Sequence, residues 1–271
     1  MEEPHPPGLH LATHVDPSKV NDEIPSEAEV EAAVCHLHLH RAGRHTHLHA
    51  EHFKNWCKEA YPGEQSNTPP RMEHWQFLVD ILKNMWRMGE IPQYLGWTVL
   101  FLIHKGITYT WGIVLMETLW KVVEALIDTR LRASLQFHDI LHGFWARRGT
   151  GTAIMELKIP QELASLDREP LFLVSLDIRK AYYTVDRESL VQTLEKYGAG
   201  TCVCQLLETF WAYQKAVPRH NGYHGPAFPA TRGMMQGSLL STTLFNAVVG
   251  NFIRTWLVMT VEDKRVDHNR M

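Results

Sequence analysis

Cysteine is scarce in this chain, with four residues in 271: Cys35, Cys57, Cys202 and Cys204. The first two stand far apart and the last two form C-x-C, so neither a disulfide ladder nor a repeated zinc pattern is present. A reducing, intracellular setting is expected. Long apolar runs are missing too. "TVLFLIHKG" is broken by His104 and Lys105, and "LFNAVVGNFIRTWLVM" by Asn246, Asn251 and Arg254, so no membrane span is expected. The first residues, "MEEPHPPGLH", are acidic and Pro-rich, unlike a secretory signal. An excess of positive charge is also lacking. The formal net charge is −3, so the chain as a whole does not advertise a polyanion partner, and any such role must come from local features.

What is present suits a globular protein with a sizeable core: 45% hydrophobic and 21% charged residues. Residues 1–35 read as a mobile acidic arm. The spacing of Trp75, Leu78, Val79, Leu82, Met85 and Trp86 predicts a helix over 72–87, stopped by Gly89. "WTVLFLIHKG" predicts a strand ending in a loop. Leu115, Leu119, Val122, Val123, Leu126, Ile127 and Leu131 predict an amphipathic helix. "HGFWARRGTGTA" is a basic loop entering another helix, and "EPLFLVSLDI" reads as a strand. Asp186 is a candidate cap for a helix closed by Gly198. A further helix carries Val203, Leu206, Leu207 and Phe210. "HNGYHGPAFPATRG" reads as a hairpin or loop, and residues 240–256 as a buried helix.

Three places carry candidate chemistry. Asp177 ends the apolar run "LFLVSLD", where an ionised carboxylate is costly unless something pairs with it. "TRGMMQGSLLSTTLFN" puts Arg232, Gly233, Gln236 and Gly237 on a loop before Ser241, and Gly237 permits close backbone approach. "LFLIHKG" puts Lys105 at a strand tip, where a point positive charge can meet phosphate.

In order, these segments resemble the reverse transcriptase family, in particular its non-LTR retrotransposon type. The family's "yRGI.LLE..wK..e..i..RL" is matched by "TWGIVLMETLWKVVEALIDTRL", and "QhGF..grGT..A" by "LHGFWARRGTGTA". "F..LDi.KAYD.V.r..L...L...G" is matched by "LFLVSLDIRKAYYTVDRESLVQTLEKYGAG", and "RG..QG..LSP.LFN" by "TRGMMQGSLLSTTLFN". "RAGRHTHLHAEHFKNW" is similar to the family's lead-in "RAGGPSG.RAEHLK.W", so the likeness runs from about residue 40 to 256. The resemblance implies an α+β, helix-rich, right-hand polymerase type: lead-in and fingers-like region over 36–150, partial palm over 151–258, charged tail over 259–271.

It also implies a site. Asp177 would be the catalytic Mg²⁺ ligand, joined by the Ile178 carbonyl, since hard oxygen donors suit that ion. Tyr182 would lie under the sugar of a deoxynucleotide. Gln236 and Gly237 would line the nucleotide and template site. Lys105, Arg147, Arg148, Arg179 and Arg232 would meet the phosphates of an RNA or DNA template-primer.

The sequence lacks the family's second catalytic motif, aromatic-x-Asp-Asp. The tail carboxylates Glu262, Asp263 and Asp267 have no apolar strand to seat them. Trp111 stands for the Arg of "yRGI", Tyr183 for an Asp, His142 for a Gln, Thr242 for a Pro and His104 for the Pro before Lys105. The chain thus reads as a decayed or truncated fragment of a retroelement reverse transcriptase, not competent for nucleotidyl transfer alone. The alternative is a non-catalytic nucleic-acid-binding remnant. A weaker one is a His-rich metal-binding protein, from His36, His38 and His40 at strand spacing and His45, His49 and His52 at helical spacing.

Overall fold

The computed structural model describes residues 20–39, 48–60, 72–105 and 109–268, with backbone alone at residues 72, 104–105, 109–111 and 260–268. In chain order the helices are α1 (Glu27–Cys35), α2 (Ala50–Ala60), α3 (Met72–Met88), α4 (Thr118–Ser134), α5 (Thr150–Asp167), α6 (Ala181–Thr184), α7 (Arg187–Lys196), α8 (Thr201–Tyr213) and α9 (Ser241–His268). The strands are β1 (Trp97–Lys105), β2 (Tyr109–Leu115), β3 (Lys215–His220), β4 (Tyr223–His224) and β5 (Phe228–Pro229). The class is α+β and helix-rich. Among the described residues no helix is long and apolar enough to cross a membrane.

The helices form where apolar spacing gives them a face to bury. Trp75, Leu78, Val79, Leu82 and Trp86 of α3 are buried, as are Trp120, Val122, Val123, Ile127 and Leu131 of α4. α8 closes this core with Leu206, Leu207 and Phe210, and the Trp120 and Phe210 rings stack at 4.0 Å. Asp186 caps α7 as expected, its carboxylate accepting from Ser189 N at 2.9 Å.

One mixed sheet runs in the order β2-β1-β3-β4, with β5 also on β3. β1 and β2 are antiparallel, Val99 opposite Leu115 and Lys105 opposite Tyr109. β1 and β3 are parallel, Trp97 opposite Lys215 and Phe101 opposite Arg219. The β3–β4 hairpin turns on Asn221 and Gly222, at φ 48° and 84°. Both positive angles match the two-residue turn favoured by strand twist.

Three expectations are corrected. The mobile arm does not extend through residue 35. Ser26 and Glu29 form a reciprocal capping box that starts α1. Val20, Val30 and Val34 are buried. The buried Arg130 of α4 donates to Glu29 Oε1 at 2.8 Å, Asn21 O at 2.9 Å and Glu23 O at 2.6 Å, and lies 4.7 Å from the Trp86 ring centroid. Asp22 accepts from Cys202 N and Val203 N at the start of α8. These partners lie a hundred and more positions away in sequence, where no local pattern reveals them.

The second correction concerns residues 169–178. The segment forms no ladder, and its side chains are exposed. The residue types favour a strand, but a strand needs an edge to hydrogen-bond with. Among the described residues none of the five strands pairs with it. The third correction concerns the tail. α9 begins where the buried helix was expected but continues to His268 rather than ending at Trp256. It packs against α7 and α4, so its apolar residues meet helices.

Candidate functional site

The loop over residues 230–238 is fastened from three sides. Val114 N of β2 donates to the Gln236 carbonyl at 2.8 Å. Met234 N donates to the Tyr182 carbonyl at 2.7 Å, and Gly233 N to the Val185 carbonyl at 2.9 Å. The Tyr183 hydroxyl donates to Gln236 Oε1 at 3.1 Å. Gly233 and Gly237 have φ of 79° and 106°, outside the range that L side chains adopt readily. A Cβ on Gly233 would lie 2.7 Å from Tyr183 Cα, and one on Gly237 2.9 Å from the Val114 carbonyl oxygen. The two glycines therefore serve close approach between this loop, α6 and β2.

Arg187 holds the same loop from behind. It donates to Gly233 O at 3.0 Å, to Ala230 O at 2.6 Å, to Trp211 O at 3.4 Å and to the Gln214 side-chain oxygen. Burial lowers its pKa to about 10, so it stays charged at neutral pH. Four acceptors offset the cost of burying that charge.

Glu124 of α4 reaches the loop from the core. It is wholly buried, and its Oε1 accepts from Ser238 Oγ at 2.6 Å and Trp120 Nε1 at 3.1 Å. Its Oε2 has no hydrogen-bond partner among the described residues. Burial pushes its pKa up to about 7. Asp128, one turn on, accepts from the Thr243 hydroxyl and from Arg132 Nε at 2.7 Å, tying α9 to α4.

The residues expected to form the site divide. Tyr182, Gln236 and Gly237 come together in this hydrogen-bonded unit. The Tyr182 ring is half-buried and stacks on Phe245 at 5.0 Å, so one of its faces is already covered. Asp177 and Ile178 lie outside the unit, in the exposed 169–178 segment, and Asp177 ends no strand. Arg179 is exposed in the same segment. Arg148 is engaged by its own loop, donating to the carbonyls of Asp139 at 2.6 Å, Leu141 at 3.2 Å and His138 at 3.3 Å and to the Asp139 carboxylate. Arg147, at φ 62°, and Arg232 are exposed. Arg232 lies near Asp186, whose carboxyl is held low first by the Ser189 N–H and then in part by that guanidinium. Lys105 ends β1, and its side chain lies outside the described residues, as does that of Trp111.

Neither metal expectation gains a ligand set. Among the described residues no three of His, Cys, Asp or Glu cluster to hold an ion. Asp177 alone does not fit a two-ion Mg²⁺ centre, which needs several oxygen ligands. The side chains of Glu262, Asp263 and Asp267, and all of His40 and His45, lie outside the described residues. His36 Nδ1 is 2.7 Å from the Ala32 carbonyl, and His52 Nδ1 accepts from His49 N at 3.0 Å.

Sequence reasoning missed Arg187, Glu124 and Ser238 as parts of this unit. Arg187 was visible as the "r" of the "V.r..L" pattern, but nothing local says that its partners are carbonyls some two to four dozen positions on. Glu124 sits on the apolar face of a helix whose period is otherwise clean, which was a usable signal.

A family model described as reverse transcriptase (RNA-dependent DNA polymerase) matches residues 103–265. The chain is 24% identical over 139 residues to a retrovirus-related Pol polyprotein from type-2 retrotransposable element R2DM of Drosophila melanogaster, covering 51% of this chain and 13% of that protein. It is 27% identical over 201 residues to the transposon TX1 uncharacterized 149 kDa protein of Xenopus laevis, covering 69% of this chain and 15% of that protein. It is 26% identical over 144 residues to a retrovirus-related Pol polyprotein from type-1 retrotransposable element R2 of Popillia japonica, covering 52% of this chain and 20% of that protein. The chain spans a fifth or less of the length of these relatives.

Proposed function

The chain belongs to the reverse transcriptase family, in its non-LTR retrotransposon type, and from that premise we propose that it is a fingers and partial-palm piece of a right-hand polymerase that binds nucleic acid without extending a primer by itself. The observation that carries this reading is a contrast. The "RG..QG" loop is fully built, locked to β2, α6 and α7 by backbone and side-chain bonds. Asp177 stands exposed, and among the described residues no three of His, Cys, Asp or Glu cluster to hold an ion with it. In the family the chemistry is template-directed nucleotidyl transfer supported by Mg²⁺. The donor set here does not fit that centre, and no step is derived through it.

Binding rests on phosphate contacts from Lys105, Arg147, Arg179 and Arg232. Arg148 shapes its loop instead, because its donors are spent on local carbonyls. Deoxynucleotide recognition is weakened by Trp111, which removes a bidentate phosphate donor at that position. With four cations and a net charge of −3, few phosphates are neutralised at once. Affinity for single-stranded or hybrid nucleic acid is therefore expected to be micromolar or poorer and to fall steeply with salt. A titration of labelled RNA at low and high salt tests this. Binding undiminished at high salt overturns the electrostatic account, and no binding at low salt removes the nucleic-acid role.

A further inference from the structure

α1 and α2 pack against each other, and each carries a cysteine. Cys35 is the last residue of α1 and is exposed. Cys57 is buried on the stripe that Ala50, Phe53 and Ala60 also form on α2. Lys54, one turn before Cys57, donates from Nζ to the Cys35 carbonyl at 2.9 Å. Residues three apart on a helix share a side, so this side of α2 faces the end of α1. The two thiols meet there. The Cys57 pKa is pushed up to about 11, first by burial, then by the Cys35 sulfur beside it, then by Glu31 and by a hydrogen bond between the two thiols.

Packing accounts for only one of the pair. A buried free cysteine behaves as a small apolar side chain, which suits Cys57. Cys35 is exposed and fills no space in the core, yet its sulfur lies against that of Cys57. Cys202 and Cys204 do not repeat the arrangement. They stand two positions apart on α8, where side chains point away from each other. One thiol open to solvent with a second sheltered beside it is the layout of a peroxide-reactive cysteine and its resolving partner.

We propose that Cys35 and Cys57 are a reversible thiol–disulfide pair that ties the end of α1 to α2 when the chain meets hydrogen peroxide. Cys35, the exposed thiol, reacts first. Its sulfur attacks one peroxide oxygen and the O–O bond breaks. The sulfur is oxidised by two electrons to a sulfenic acid, and the other oxygen leaves as water with the thiol proton. The Cys57 sulfur then attacks the Cys35 sulfur. The S–S bond forms, the S–O bond breaks, and the Cys57 proton leaves with the hydroxide as a second water. Two thiols and one peroxide thus give one disulfide and two waters. A dithiol reductant returns both thiols by exchange, itself becoming the disulfide.

The bond changes how α1 is held. The start of α1 is anchored by the Ser26–Glu29 capping box and by Arg130. Its end is held by the Lys54 contact and by burial of Val34. A disulfide makes that end covalent. It also closes the chain between Cys35 and Cys57 into a loop, which restricts the unfolded state. Val30, Val34, Phe53 and Cys57 belong to the same core cluster as α3 and α4. The oxidised chain should therefore melt about 5 °C or more above the reduced chain.

Peptide mapping of the folded full chain after treatment with hydrogen peroxide tests the proposal. Trypsin separates Cys35, in the peptide spanning 20–41, from Cys57, in the peptide spanning 55–58. The expected result is one linked pair of these two peptides, two hydrogens lighter than their sum. Dithiothreitol should release it, and Cys202 and Cys204 should remain free thiols. The thermal midpoint should rise with the linkage and fall back on reduction. Cys35→Ser, an exposed substitution outside the core, should remove both the linkage and the rise while leaving the circular dichroism unchanged. Cys57→Ser should leave a sulfenic acid on Cys35 that dimedone traps. Linkage of Cys35 to Cys202, to Cys204 or to a second chain overturns the proposal. So does oxidation of Cys35 to its sulfinic acid without a disulfide, or a linked pair that forms only after the chain is unfolded.

Discussion

Gly237 joins loop to sheet at an angle that only glycine adopts without strain. Gly237→Ala places a methyl group 2.9 Å from the Val114 carbonyl at φ 106°. The backbone atom cannot swing aside, so a loss of at least about 2 kcal/mol of stability is expected in urea denaturation. Arg187→Ala leaves four acceptors without their donor and should cost on the order of 3 kcal/mol in the same measurement. Glu124 acts through pH. Its folded pKa of about 7 exceeds the ordinary value of 4.5. The folded state thus binds the proton more tightly than the unfolded state does. Its contribution is present in full below about pH 4.5 and is lost as pH rises through about 7. The loss amounts to roughly 3 kcal/mol across that window. Denaturation midpoints taken from pH 4 upward should fall over this range in the parent and flatten in Glu124→Gln. Equal slopes in the two proteins contradict the assignment.

Elements with a local cause were legible. α3, α4, α7 and α8 follow apolar periods, and β1 and the Asn221–Gly222 hairpin follow from residue type. β2 was missed because its side chains continue into the pattern read as the start of α4. The parallel pairing of β1 with β3 was out of reach, since it joins segments more than a hundred residues apart. α1 was hidden for a related reason. Its acidic, Pro-flanked composition suggests an arm, while its order comes from Arg130 and from burial of Val30 and Val34. Arg130→Ala should therefore release the α1 segment, seen as faster amide exchange in residues 20–35 with the α3–α8 core unchanged. The 169–178 segment errs the other way. Its residues favour a strand, yet strand formation is a property of a pair, and among the described residues no strand pairs with it.

For the whole molecule, the candidate site was legible in its order of motifs and only partly in its geometry. Gly233, Gln236 and Gly237 form one packed loop with α6 and β2, at the positions that the resemblance implies for a nucleotide and template site. Asp177 does not join them, and Arg148 turns inward to its own loop. The family is established over residues 103–265, whereas the chemistry of this chain follows from its ligands. The central claim is that one motif carboxylate does not make a nucleotidyl-transfer centre. Primer extension by the full chain on an RNA template with Mg²⁺ and all four deoxynucleotides tests it most directly, run beside Asp177→Ala. The account predicts no extension above the no-protein control in either. Extension by the parent that disappears in Asp177→Ala would contradict it, because a complete metal site would then exist around Asp177.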